Sequence, residues 1–109
     1  MIKGNLFADI PVEIPDELFA VLHENEKVRI ERIISRGQAK DFWYDQVDDE
    51  WVCLLSGSAV IEFDSGEKTE LAKGDWLLLP AHCRHRVDWT TPDANSVWLA
   101  VHVKNNAEK

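Results

Sequence analysis

Residues 37–57 read GQAKDFWYDQVDDEWVCLLSG, and the architecture of the chain turns on them. Glycines open and close the stretch, and Asp48, Asp49 and Glu50 stand between an aromatic segment at 42–44 and Trp51. From residue 51 the pattern alternates with the period of a strand rather than a helix. A loop that presents carboxylates at the edge of a sheet is expected here, and such a loop suits a site.

Working outward, residues 51–55 and 59–63 read as strands joined at Ser56-Gly57-Ser58. A turn at 64–67 and a strand at 68–71 extend them into an antiparallel meander. Gly74 supplies the positive φ for a tight turn at 72–75. The wholly apolar strand 76–79 ends at Pro80, and 85–89 and 97–103 follow as strands around a loop at 90–95. Upstream, strands at 18–23 and 28–35 form a hairpin about the turn 24–27. Val28, Ile30, Arg32 and Ile34 fall on one face of the second arm, and Arg29, Glu31 and Ile33 on the other. Residues 1–15 contain Pro11 and Pro15 and no sustained period, so they are expected to be an extended arm crossing the body or a neighbouring subunit. Residues 104–109 are polar and expected to fray. Many short strands with regular turn signals and no long helical pattern predict an all-β barrel or sandwich.

Composition narrows the classes of function. The 109 residues suit one domain, 1–109, and no linker or repeat divides them. Twenty Asp and Glu against twelve Lys and Arg give a formal charge of −8, which repels phosphate backbones and argues against nucleic acid. The local run Arg84-His85-Arg86 is too short for a binding stripe and is expected to pair with Asp48 and Asp49. No apolar run approaches the ~20 residues of a membrane helix, and no signal-like pattern opens the chain, so a cytoplasmic protein is expected. The two cysteines, Cys53 and Cys83, are therefore not expected to form a disulfide.

The spacing of Gly37, Glu50 and Gly57 resembles the first motif of the cupin family: glycine, five residues, His-x-His, three or four residues, glutamate, six residues, glycine. Trp43 and Asp45 stand at the two histidine positions. Gly74, Pro80 and His85 resemble the second motif, with His82 in place of its inner glycine and Trp89 where an asparagine would stand. The resemblance implies a cupin-type jelly roll, a double-stranded β-helix, whose barrel mouth holds a divalent metal. Carried over, it makes Glu50 and His85 ligands, with Asp45 able to donate an oxygen. Such an Asp, Glu, His set would take Mn, Fe, Ni or Zn, with Gln46, His82 or His102 as a further donor. The family also implies homodimers and, for an enzyme, oxygenase- or isomerase-like chemistry.

A second reading needs no metal. Five tryptophans are many for this length, and a ligand pocket lined by Trp43, Asp45, His82 and His102 would bind a small molecule against aromatic surface. Trp76 and Trp98, in apolar strands, are expected in the core. Glu50 beside His85 would then be an acid and base pair rather than ligands.

Overall fold

Eight antiparallel strands and no helix make up the regular structure of residues 1–105, the part of the chain that the computed structural model describes. They are β1 (Leu18–Glu24), β2 (Val28–Ser35), β3 (Asp49–Ser56), β4 (Ala59–Phe63), β5 (Lys68–Leu71), β6 (Trp76–Leu79), β7 (His85–Thr90) and β8 (Ser96–Val103). The larger sheet runs β1-β2-β8-β3-β6 and the smaller β5-β4-β7. Facing each other, they form an all-β jelly roll.

The expected meander is corrected by this topology. β4 pairs with β5 and β7, while β3 pairs with β6 and β8, so the chain changes sheets between β3 and β4. Gly57 sits at that crossing with φ 87°, and a Cβ there would collide with Ser96. Glycine alone fits this crossing without strain.

Cross-strand register sorts the interior into rows. At one end Arg29, His102 and Glu50 lie side by side across β2, β8 and β3. Glu31, Ala100 and Val52 form the next row, and Ile33, Trp98 and Leu54 the third. Because partners in register share a face, the interior runs from polar at one end to apolar at the other. The apolar end is packed with Leu54, Ala59, Leu71, Trp98 and Ala100, all buried, and both sheets contribute to it.

The mostly polar face of β2 therefore looks inward, and its apolar face looks out. The N-terminal arm covers part of that outer face, with Ile14 packed on Ile34 and Val97 and with Ile10 and Leu18 beside them. Arg32 anchors the arm by donating from Nη1 to the Leu6 and Ala8 carbonyls at 3.2 and 2.7 Å. Farther along the same outer face Trp76 and Leu78 are 59% and 58% exposed, with no cover among the described residues. Trp76 is thus not in the core, because its neighbours Leu77 and Leu79 take the inward parity. Trp98 is in the core as expected.

Lys104 and Asn105, expected to fray, are held. Lys104 donates to the Lys27 carbonyl and to Glu24, and the Asn105 amide donates to Asp48. The rest of the expected tail, 106–109, lies outside the described residues. Asp48 and Asp49 do not meet the Arg84–Arg86 run. Asp49 accepts from the Ala81 amide, while Arg86 bonds Glu62 and Arg84 approaches Asp64. Cys53 and Cys83 are free thiols.

Candidate functional site

The polar rows of the large sheet, β7 and the loop before β3 enclose a cavity of about 280 Å³. Its apolar wall includes Ile33, Val52, Ile61, Leu79, Val87 and Trp98, and its polar groups include Glu31, Glu50, His85 and His102. Of the candidate site residues singled out in the sequence, Gln46, Glu50, His85 and His102 line it.

Trp43, Asp45 and His82 lie elsewhere. The loop before β3 is laced onto β7 like an extra strand. Lys40 N donates to the Val87 carbonyl, Tyr44 and His85 exchange main-chain bonds at 2.7 and 3.2 Å, and His82 N donates to the Gln46 carbonyl. Antiparallel partners share a face, so Tyr44 follows His85 into the cavity and their rings stack at 5.3 Å. Tyr44 and Gln46 line the cavity, and the residues of opposite parity, Trp43 and Asp45, turn outward. Trp43 packs under Arg86, 4.8 Å from its ring centroid. Asp45 Oδ1 meets His82 Nδ1 at 2.8 Å on the surface, with both side chains about half exposed. His82 itself has φ 63°, the left-handed conformation that glycine would adopt without strain.

Two Glu–His pairs lie inside. His102 Nε2 is 2.9 Å from Glu31 Oε1, and both residues are buried. His85 Nε2 is 3.8 Å from Glu50 Oε1, beyond direct hydrogen bonding, and both are again buried. His85 Nδ1 donates to the Cys83 carbonyl at 2.8 Å, which leaves Nε2 facing Glu50. Burial pushes the Glu50 carboxyl above its ordinary range, against the pull of His102 and His85. Burial, aided by Glu17, Glu50 and Glu31, pushes the Tyr44 phenol up to about 12, so it keeps its proton and is able to donate it to a ligand acceptor. Burial and nearby Asp64 raise the Cys83 thiol, which disfavours a thiolate ligand there.

This donor set does not fit the metal centre that the motif spacing implied. Glu50 and His85 converge, but Asp45 points outside and His102 Nε2 is taken up by Glu31. Tyr44 is held neutral, and among the described residues no group of three His, Cys, Asp or Glu is arranged to hold a metal ion.

The polar residues that sequence reasoning missed are Tyr44, Arg29, Glu31 and Glu17. The polar parity of 29 and 31 in β2 was the available signal for two of them. Glu17 is held at the rim by Lys40 at 3.1 Å and accepts from Ser35 Oγ at 3.0 Å.

A double sheet folded around a cavity, with carboxylates and imidazoles gathered at its polar end, defines a small single-barrel protein of the jelly-roll class. The chain belongs to the cupin family: residues 31–102 match the cupin domain model, Cupin_2. No curated protein matches it. Among solved structures it is similar to a Ralstonia eutropha JMP134 protein called "putative mannose-6-phosphate isomerase", at 53% identity and TM-score 0.91, covering 96% of this chain and all of that one. It also resembles a cupin superfamily protein of Desulfitobacterium hafniense DCB-2, at 24% identity and TM-score 0.75, covering 88% and 84% of the two chains. A Streptococcus pyogenes protein of unknown function matches at 24% identity and TM-score 0.77, covering 96% and 89%. These last two speak to the fold alone.

Proposed function

We propose that the cavity binds a small organic molecule directly through its side chains, with Glu50 and His85 as the polar end that grips it. The observation that carries this reading is the 3.8 Å gap between Glu50 Oε1 and His85 Nε2. Both groups are buried, yet they stand too far apart to satisfy each other, and when one of them carries a proton a ligand hydroxyl can accept from that one and donate to the other. The apolar wall supplies the non-directional part of the affinity. Glu50 and His85 also form a general acid and base in reach of one ligand, so proton transfer on that ligand is the chemistry the pair could perform.

The test is ligand-induced stabilisation of the intact protein, compared with Glu50→Gln and His85→Gln. Ligands that raise the melting temperature of the parent should raise it far less in both variants. Equal stabilisation in all three proteins would remove the pair from the site. Metal analysis of protein purified without chelators separates the direct reading from a metal-mediated one. Stoichiometric Mn, Fe, Ni or Zn that is lost in Glu50→Ala and His85→Ala would overturn direct binding.

A second copy of the chain is the partner we propose for the uncovered outer face. Trp76 and Leu78 on β6 lie in register with Cys53 and Trp51, which in turn neighbour Leu99 and Val101 on β8. This makes an apolar strip beyond the end of the arm, and the Trp51 and Trp76 rings stack within it at 6.2 Å. Exposed strips of this kind mark association surfaces. Sedimentation should give a dimer that Trp76→Glu with Leu78→Lys converts to a monomer, and a monomeric parent protein would refute the pairing. The surface charge and the free thiols suit a cytoplasmic setting without nucleic acid or membrane partners.

A further inference from the structure

Resting on the reading that the cavity is a binding site, we infer that its ligand is an uncharged hydroxyl- or carbonyl-bearing molecule and not a phosphate ester or other anion. Six carboxyl, guanidinium and imidazole side chains line the cavity. Three are carboxylic acids, Glu17, Glu31 and Glu50, one is a cation, Arg29, and two are imidazoles, His85 and His102, which already face Glu50 and Glu31 at 3.8 and 2.9 Å.

The permanent positive charges at hand already lie opposite carboxylates, which offset their pull on an anion. Arg29 Nε lies 4.0 Å from Glu31 Oε2, and Lys40, at the rim, sits on Glu17 at 3.1 Å and near Asp16 at 3.9 Å. Among the described residues there is no helix, so no helix N-terminus points its amides at the cavity. A phosphate entering here would have to give up its water and lie against the Glu31 and Glu50 carboxyls, with one shared guanidinium in return. The chain as a whole, at −8, adds no attraction from a distance.

What the polar end offers instead is paired donors and acceptors for a neutral group. The Glu50 carboxyl and His85 Nε2 face each other across a gap that a hydroxyl can bridge. Tyr44 and Gln46 bring a phenol and an amide to the same lining. The Arg29 Nε–H is buried without a hydrogen-bond acceptor and can donate to a hydroxyl or carbonyl oxygen. The rings of Tyr44 and Trp98 and the aliphatic wall suit a molecule with one apolar face, as a free sugar or an aromatic alcohol has. The phosphate ester in the name given to the Ralstonia eutropha protein is thus the kind of ligand that this lining would repel.

Matched pairs of probes decide the matter, read by chemical shifts of the Tyr44 ring and of the Val52 and Val87 methyls in the intact protein. The pairs are mannose with mannose 6-phosphate, benzyl alcohol with benzyl phosphate, and a fragment library sorted into uncharged and carboxylate forms. The uncharged member of each pair that reaches the cavity should bind at least about tenfold more tightly than its anionic partner, as like-charge juxtaposition predicts. Glu50→Gln should narrow that ratio by weakening the uncharged member and admitting the anion. An anionic member that binds as tightly as its partner overturns the inference and leaves the binding site standing. Failure of every probe, charged or not, to perturb the cavity overturns the binding site as well.

Discussion

Two glutamate–histidine pairs lie in one cavity, one closed at 2.9 Å and the other open at 3.8 Å. Glu31 and His102 come from adjacent strands, β2 and β8, one row apart, and ordinary sheet geometry lets the side chains meet on the diagonal. Glu50 and His85 come from opposite sheets, and the distance between the sheets keeps them apart. His85 is further held by the Cys83 carbonyl behind it and the Tyr44 ring beside it. Similar chemistry thus does two jobs. Within a sheet the pair satisfies itself, while across the barrel it faces open space where a ligand fits.

The largest effect should come from breaking the closed pair. Glu31→Ala leaves the buried His102 Nε2 without its partner and should cost about 3 kcal/mol in denaturant unfolding. A loss below about 1 kcal/mol would show that water replaces the carboxylate freely. Double-mutant cycles sharpen the contrast. The Glu31 and His102 coupling should reach about 1.5–3 kcal/mol, as for hydrogen bonds to charged groups, whereas that of Glu50 and His85 should stay below about 0.5 kcal/mol in the absence of ligand. Equal couplings would mean that the open pair closes in solution.

Glu50→Gln should act in the opposite direction on stability. Burial raises the Glu50 carboxyl above its reference value of 4.5, so the folded chain holds that proton at pH values where the unfolded chain has lost it. From about pH 4.5 up to the raised value, this group makes the protein less stable as pH rises, and above it the penalty is complete. Glu50→Gln removes the penalty. Its melting temperature should exceed the parent's at neutral pH and depend less on pH in that window, while ligand binding weakens. A variant less stable than the parent at neutral pH would point to a favourable contact of the ionised carboxylate. The smallest effect belongs to the surface pair. Asp45→Ala removes the exposed partner of His82 and should cost less than about 1 kcal/mol, and it should leave ligand binding unchanged.

The strands were legible because glycine, proline and Asn-, Asp- or Ser-rich turns punctuate runs of alternating parity, and β1 to β8 fall where those runs fall. Their division between two sheets was not. Ser56-Gly57-Ser58 has hairpin chemistry, yet Gly57 serves a crossing whose tightness is set by Ser96, far along the chain. Glu50 and His85 were legible from motif spacing, and His102 from its parity with Trp98. Tyr44 was not, because spacing counted from Gly37 selects 43 and 45. Only the main-chain exchange with His85 decides which parity of the loop turns inward. Arg29 and Glu31 were visible as the polar face of β2. Which face looks inward depends on the arm that covers the other, a fact of packing rather than of local pattern.

That covering has a practical consequence. Ile34 and Val97 are shielded by the arm's own Ile14 and Ile10, and Arg32 is partnered by two of the arm's carbonyls. Trimming the first fifteen residues would lay bare a greasy seam continuous with Trp51 and Leu99 and strand a guanidinium beside it. A shortened version made for crystallisation or tagging should therefore clump before it unfolds, and its trouble would begin on the side of the barrel away from the cavity.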